Sequence, residues 1–214
     1  MKTSYRNRHE LISDQIHKTD RVLDVGFWGQ GVSVDDQHWI HGSLLRASDE
    51  VYGIDLDFDP SKLTNPSRYR KASAEDFDFE ERFDVIFASE VIEHLSNPGL
   101  FLASCARNLR DGGRLMITTP NCFNLYNIAE KFSKSEPTVN KDHTCYFNSK
   151  TLLRLLAKNG WEAEKIAFIY SLDIEFKESW KKKVLNVLYA GASRFTPKFL
   201  ETLVVVAKRR QRLI

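Results

Sequence analysis

Two carboxylates and an imidazole fall within five consecutive residues, at Glu90, Glu93 and His94. They follow the run Phe83-Asp84-Val85-Ile86-Phe87-Ala88, whose aromatic and β-branched content predicts a strand. A helix beginning after that strand would put Glu93 and His94 three and four residues beyond Glu90, on one shared face. Acids and an imidazole converging there could bind a divalent cation or move a proton. The plainer alternative makes Glu90 a backbone cap and Glu93 a solvated first-turn acid, favoured by the helix dipole. His94 would then be a hydrogen-bonded, partly buried ring.

A second constellation precedes this one. Val22, Leu23 and Val25 form an apolar strand that carries Asp24 and runs into Gly26-Phe27-Trp28-Gly29-Gln30-Gly31. Glycines let the backbone turn sharply and let a ligand approach closely. Asp55 ends a second strand, Val51-Tyr52-Gly53-Ile54-Asp55, where an acid suits ribose hydroxyls. The pair predicts the nucleoside-binding half of a Rossmann-like sheet. A nicotinamide dehydrogenase would seat a pyrophosphate dianion on such a loop, and Asp24 just ahead of it argues against that ligand. Trp28 is expected to pack beneath the loop rather than touch the ligand.

These residues need a frame. Strand signals near 21–26, 51–55, 68–72, 84–89, 113–119, 162–170 and 201–208 alternate with helix signals. The helices are expected at 9–18, at 97–110 (opened by Asn97-Pro98) and at 149–159 (capped by Ser149). The alternation predicts an α/β fold with a doubly wound, mostly parallel sheet, which binds ligands beyond the carboxyl ends of its strands. Residues 1–214 are expected to form one domain, with 1–19 a lead-in helical segment and 176–198 an extra helical segment before the last strand. A net charge of +2 gives no strong pull towards nucleic acid. Three cysteines are too few for a disulfide framework and point to a reducing compartment, so the cytoplasm is the expected location. No signal-like leader and no run of ~20 apolar residues is present. Trp180, Val184, Val187 and Leu188 form an apolar stripe beside Lys181, Lys182 and Lys183. Within 180–195 this reads as a helix packed on the sheet, or as peripheral contact with anionic lipid.

The segments Phe83–Leu95 and Leu109–Asn121, taken with the glycine loop and Asp55, resemble class I S-adenosylmethionine-dependent methyltransferases. The resemblance covers about residues 8–170 and a final strand at 203–208. Glu90-Val91-Ile92-Glu93-His94 and Thr119-Pro120-Asn121 are similar to segments of two groups: ubiquinone-biosynthesis O-methyltransferases and small-RNA 3′-end 2′-O-methyltransferases. The resemblance implies a seven-stranded sheet of order 3-2-1-4-5-7-6, its seventh strand antiparallel, and S-adenosyl-L-methionine as cofactor. It implies a cofactor floor of Asp24, Gly26, Phe27, Gly29 and Gly31, with Asp55 and Leu56 at the ribose. Ala74 and Glu75 are implied near the adenine, Ser89 and Glu90 near the methionine end.

Two departures stand out. The loop is spaced Gly-x-x-Gly-x-Gly where the family usually has Gly-x-Gly-x-Gly, and Ser73 replaces the aspartate that usually reaches the adenine, leaving Glu75 or Asp76 as substitutes. In the RNA enzymes the matching Glu-x-x-Glu-His and a downstream histidine bind magnesium. That adds His143 and gives a candidate metal set of Glu90, Glu93, His94 and His143, for Mg²⁺ or, with two imidazoles, Mn²⁺. His94, His143 and Glu93 are the expected catalytic residues. The expected reaction is O-methylation of a hydroxyl on a small-molecule, saccharide or lipid-linked acceptor. The alternatives are a metal-dependent RNA 3′-terminal 2′-O-methyltransferase, which the near-neutral charge disfavours, and a non-catalytic cofactor-binding scaffold.

Overall fold

Seven strands form where the sequence places them in a computed structural model that describes residues 2–29, 36, 38–133, 136–137, 140–170, 191 and 196–210. An eighth, β1 (Ser4–Tyr5), precedes them. The others are β2 (Arg21–Val25), β3 (Glu50–Asp55), β4 (Tyr69–Lys71), β5 (Phe83–Ser89), β6 (Leu109–Pro120), β7 (Trp161–Ile169) and β8 (Thr202–Arg209). The sheet order is β1-β7-β8-β6-β5-β2-β3-β4, with β8 antiparallel to both neighbours. This is the implied order with one strand added at an edge. Ser4 and Tyr5 were expected within a lead-in helical segment. Instead they pair in parallel with Phe168 and Ile169, which buries the Tyr5 ring against the sheet.

The lead-in helix shortens accordingly to α1 (Arg8–Gln15), where the Asn7 side chain accepts from the Glu10 amide. α2 (Ile40–Ala47) follows the glycine loop, and α3 (Pro98–Asn108) starts at the proline as expected. α4 (Leu125–Ser133) and α5 (Ser149–Lys158) lie beyond β6. The cap of α5 is Asn148 rather than Ser149: Asn148 and Thr151 exchange side-chain and backbone bonds in a capping box. The expected extra helical segment and the Trp180 stripe lie outside the described residues, except at the end, where Pro197–Phe199 makes a 3-10 turn. Among the described residues no helix is long and apolar enough to cross a membrane.

Strand periodicity divides the core between the two faces. From β5, Val85 and Phe87 join Leu11, Ile12 and Leu44 of α1 and α2, while Ile86 and Ala88 join Phe101, Leu102 and Leu152 of α3 and α5. β8 splits in the same way, Val204 and Val206 against Leu203 and Val205. A third, aromatic cluster of Phe27, Trp39 and Phe58 sits under the glycine loop.

The end of α3 is held by one buried amide. Asn108 accepts from the Phe79 amide at 2.8 Å and donates to the carbonyls of Phe77 and Ser104 at 3.0 and 2.9 Å. Asn108→Leu would leave these backbone groups unpaired in the core. Urea unfolding should show a loss of about 2–4 kcal/mol.

Candidate active site

The sheet reverses its order between β2 and β5, which pair in parallel with Asp24 opposite Phe87 and Val25 opposite Ala88. The segments that follow these two strands therefore part there, and a cavity of about 1260 Å³ opens between them. Its walls come from Asp24–Gly29, Ile54–Asp57, Ala72–Ala74, Ser89–Val91, His94, Asn7–His9 and Asn140 with Asp142.

The glycine loop reaches this position through left-handed backbone at Gly26 and Gly29, with φ of +77° and +67°. A Cβ on Gly26 would lie 2.8 Å from a Val91 methyl, so the loop also needs glycine for space. Gly31 lies outside the described residues. The residues between the glycines anchor the loop from below. Phe27 is buried and packs against His41, Phe58 and Tyr69 with ring centroids 5.0, 5.1 and 4.8 Å away. Gly53 makes this possible, because a Cβ there would lie 2.7 Å from the Phe27 ring. Trp28 meets the rings of Phe27, Trp39 and Phe58 with its own, in keeping with a packing role. Its amide donates to Asp55 Oδ2 at 3.0 Å, and the Leu56 amide donates to Asp55 Oδ1 at 2.8 Å. The Asp55 carboxylate is thereby aimed before any ligand arrives, with lone pairs left on both oxygens.

Glu75 does not line the cavity. Its carboxylate accepts from the amide and side chain of Asn97, and so serves the start of α3. Asp76 pairs with Arg107. Neither acid therefore stands in for the missing aspartate, and Ala72, Ser73 and Ala74 form that wall.

The carboxylate cluster departs from the expected helix. Glu90 has φ +55°, the only left-handed non-glycine residue among those described, and the next turn, Ile92–His94, is a 3-10 helix. Such a backbone costs about 1–3 kcal/mol and needs support. The support comes from the Glu90 amide donating to the Thr118 carbonyl, the Thr118 hydroxyl donating to Glu90 Oε1 at 3.2 Å, and Arg8 pairing with Oε1 at 3.1 Å. Ser89 bonds the same threonine hydroxyl. Glu90 thus pairs with Arg8, and its carboxylate is not among the three ligand groups that converge. Arg8 lines the cavity, and its Nε is buried with no partner.

Glu93 is 1% exposed and is not the solvated acid of the plainer reading. Its Oε2 accepts from Thr119 Oγ1 at 2.9 Å, and its Oε1 is buried without a partner. Burial first, then the charge of Glu90, raises its pKa from 4.5 to about 8. Its backbone carbonyl accepts from the amides of Thr144 and Cys145 and from the Thr144 hydroxyl, which draws the 140–146 segment against this turn. The ring of His143 then meets that of His94 edge-on at 4.6 Å, and one ligand atom from each of Glu93, His94 and His143 lies within 4.8 Å of the others. His94 Nδ1 donates to the Asp142 carbonyl at 3.2 Å, which leaves Nε2 as the acceptor nitrogen. Burial, then His94, lowers the pKa of His143 and favours its neutral ring.

Other candidates resolve simply. Asn121 fixes the turn after β6 and holds the carbonyls of Lys198 and Leu200. His41 is buried between Asp24 and Tyr69, its two nitrogens 2.9 Å from each. Burial and then Asp24 push the Tyr69 hydroxyl up to about 12. Sequence reading missed Tyr69 and the roles of Thr118 and Thr119. Adjacent hydroxyls at the end of a buried strand, opposite two acids, were the available signal.

The arrangement has the fold of a class I methyltransferase: a glycine loop with an oriented acid and a polar cluster flank the switch point of a sheet with an antiparallel β8. The chain matches a family model described as a methyltransferase domain over residues 1–166 and belongs to that family. It is a class I methyltransferase domain. It is 49% identical over 109 residues to the ubiquinone biosynthesis O-methyltransferase of Nitrobacter winogradskyi, a match covering 47% of this chain and 39% of that protein. The chain thus spans about two fifths of that relative's length. Among solved structures, an S-adenosylmethionine-dependent methyltransferase from Mesorhizobium loti shares the fold at a TM-score of 0.56 and 14% identity, covering 94% of this chain and 95% of that one. The 1,6-didemethyltoxoflavin-N1-methyltransferase of Burkholderia thailandensis, solved with 1,6-didemethyltoxoflavin and S-adenosylhomocysteine, does so at 0.58 and 18%, covering 96% and 80%.

The raised Glu93 pKa fixes a sign for stability. Between pH 4.5 and about 8 the folded protein holds a proton that the unfolded chain has lost, so stability falls as pH rises through that window. Glu93→Gln removes this dependence. In metal-free buffer at pH 8 it should melt above the wild type, and at pH 5 the two should be nearly equal.

Proposed function

We propose that the chain methylates a hydroxyl oxygen of a small organic acceptor, activated at Glu93, His94 and His143. The observation that carries this reading is the convergence of those three side chains beside the cofactor half of the cavity. The name of the Nitrobacter relative, an O-methyltransferase of ubiquinone biosynthesis, agrees with an oxygen acceptor.

S-adenosylmethionine supplies an already activated methyl group, so the protein must mainly align the acceptor and manage its proton. In this reading Asp55 holds the ribose hydroxyls, and Leu56 and Ala74 flank the adenine. Gly26 and Gly29 let the backbone approach. Arg8, with its unpaired Nε, takes the methionine carboxylate, and Glu90 keeps Arg8 in place. His94 Nε2 receives the acceptor proton, while the Asp142 carbonyl fixes its tautomer.

Alternatively the trio fits a divalent cation, which would take His94 Nε2 as a ligand in place of the proton. Its donors are one carboxylate oxygen, unpartnered and buried at Glu93 Oε1, and two imidazoles. Without Glu90 this set suits Mn²⁺ or a similar transition ion better than Mg²⁺. Such an ion would lower the acceptor hydroxyl's pKa as a Lewis acid. Ligation requires Glu93 to lose its proton, so affinity should rise with pH towards about 8.

Calorimetry with S-adenosylhomocysteine and Mn²⁺ tests both parts. S-adenosylhomocysteine should bind in the micromolar range, about −8 kcal/mol. Mn²⁺ should bind separately, and His143→Ala should abolish that signal while sparing S-adenosylhomocysteine. Methyl transfer to a panel of phenols and alcohols should fall by about 10²-fold or more in His94→Ala. Transfer only to RNA 3′ ends, with salt-sensitive binding, would replace the small acceptor by RNA. Failure to bind S-adenosylhomocysteine would leave a scaffold.

A further inference from the structure

We propose that His41 and Tyr69 are positioning residues that hold Asp24 as the anionic partner of the cofactor's ammonium group. This rests on the cofactor reading above. It concerns the two residues that back Asp24, of which His41 is fully buried.

Three elements meet in one chain of hydrogen bonds: Asp24 from β2, His41 from α2 and Tyr69 from β4. Asp24 Oδ2 lies 2.9 Å from His41 Nδ1, and His41 Nε2 lies 2.9 Å from the Tyr69 hydroxyl. The carboxylate makes Nδ1 the donor, so Nε2 accepts from Tyr69. His41 is fully buried and Asp24 is 3% exposed. Asp24 nevertheless lines the cavity. With Oδ2 committed to His41, Oδ1 is the oxygen left for a ligand. The rings of Phe27 and Trp39 seal His41 on both sides at 5.0 Å.

A carboxylate in this position tends to take a proton. Burial raises its pKa, the charge of Asp55 adds to that, and the hydrogen bond from His41 opposes both. The remaining charge acting on the relay is Arg68, next to Tyr69. An ammonium ligand gains from Asp24 only while Asp24 is ionised. The relay thus governs affinity for the cofactor's α-ammonium group. It leaves the adenine and ribose contacts alone. A histidine that merely filled the core would affect all parts of the ligand equally.

The test is the pH dependence of two affinities, for S-adenosylhomocysteine and for its analogue lacking the α-amino group, between pH 6 and 9. In the wild type, S-adenosylhomocysteine should weaken towards acid while the deaminated analogue stays flat. His41→Leu should move that weakening to higher pH and so weaken S-adenosylhomocysteine over a wider range, with the analogue unchanged. His41→Asn keeps an N–H donor near the Nδ1 position and should restore most of the loss. Tyr69→Phe preserves the core volume and should shift the profile in the same direction by a smaller amount, so the idea stays testable if His41→Leu does not fold. Equal, pH-independent losses for both ligands would overturn the relay and make His41 a packing residue. An unshifted profile in all three variants would also overturn it. A wild type that binds neither ligand at any pH would instead remove the cofactor assignment on which the relay stands.

Discussion

The pairing of β2 with β5 is the constraint on which the site depends. Parallel neighbours send their next segments off the same edge of the sheet. Because β3 lies on one side of β2 and β5 on the other, those segments diverge at this edge only. The glycine loop and the Glu90 turn are thereby set face to face with a space between them. Every group of interest is then fixed by a short local device: left-handed backbone at Gly26, Gly29 and Glu90, and the Glu93 carbonyl that gathers Thr144 and Cys145. The broad apolar layers on the two faces of the sheet make those devices affordable.

The site concentrates carboxyl groups where ionising them is costly. Asp24 and Glu93 are nearly inaccessible, and breaking a buried charge pair typically costs about 3–5 kcal/mol. Asp24 is compensated by an imidazole. Glu93 has only a threonine hydroxyl at one oxygen and nothing at the other. That imbalance separates a carboxylate built into the architecture from one left waiting for a proton or a ligand. Glu90, half-exposed and paired with Arg8, lies between these extremes.

Much of this was legible in the sequence, because local signals and long-range order agreed. Strands with apolar runs, the Asn97-Pro98 start and the acid after β3 all formed as read. The misreadings share one cause, a tertiary partner that outbid a local preference. Tyr5 left a helical segment to bury its ring on β7. Glu90 took a left-handed backbone because the carbonyl and hydroxyl of Thr118 were there to receive it. Glu75 turned to Asn97, twenty-two residues away. His41 is buried and hydrogen-bonded at both nitrogens, yet one of its partners is a residue of the cavity wall. The position of Tyr69, on a three-residue strand, carried no signal of that role.

The path of the chain from β1 to α1 has a reach greater than its length. Tyr5 and Thr3 accept from the amides of Tyr170 and Phe168 at the outer edge of the sheet, and three residues after Tyr5 the Arg8 side chain lies in the cleft near its centre. The outermost strand and the ligand cavity thus share one tether. A ligand that stiffens Arg8 must also stiffen the border of the sheet, so amide exchange at Phe168 and Tyr170 would report on events in a pocket those residues never touch.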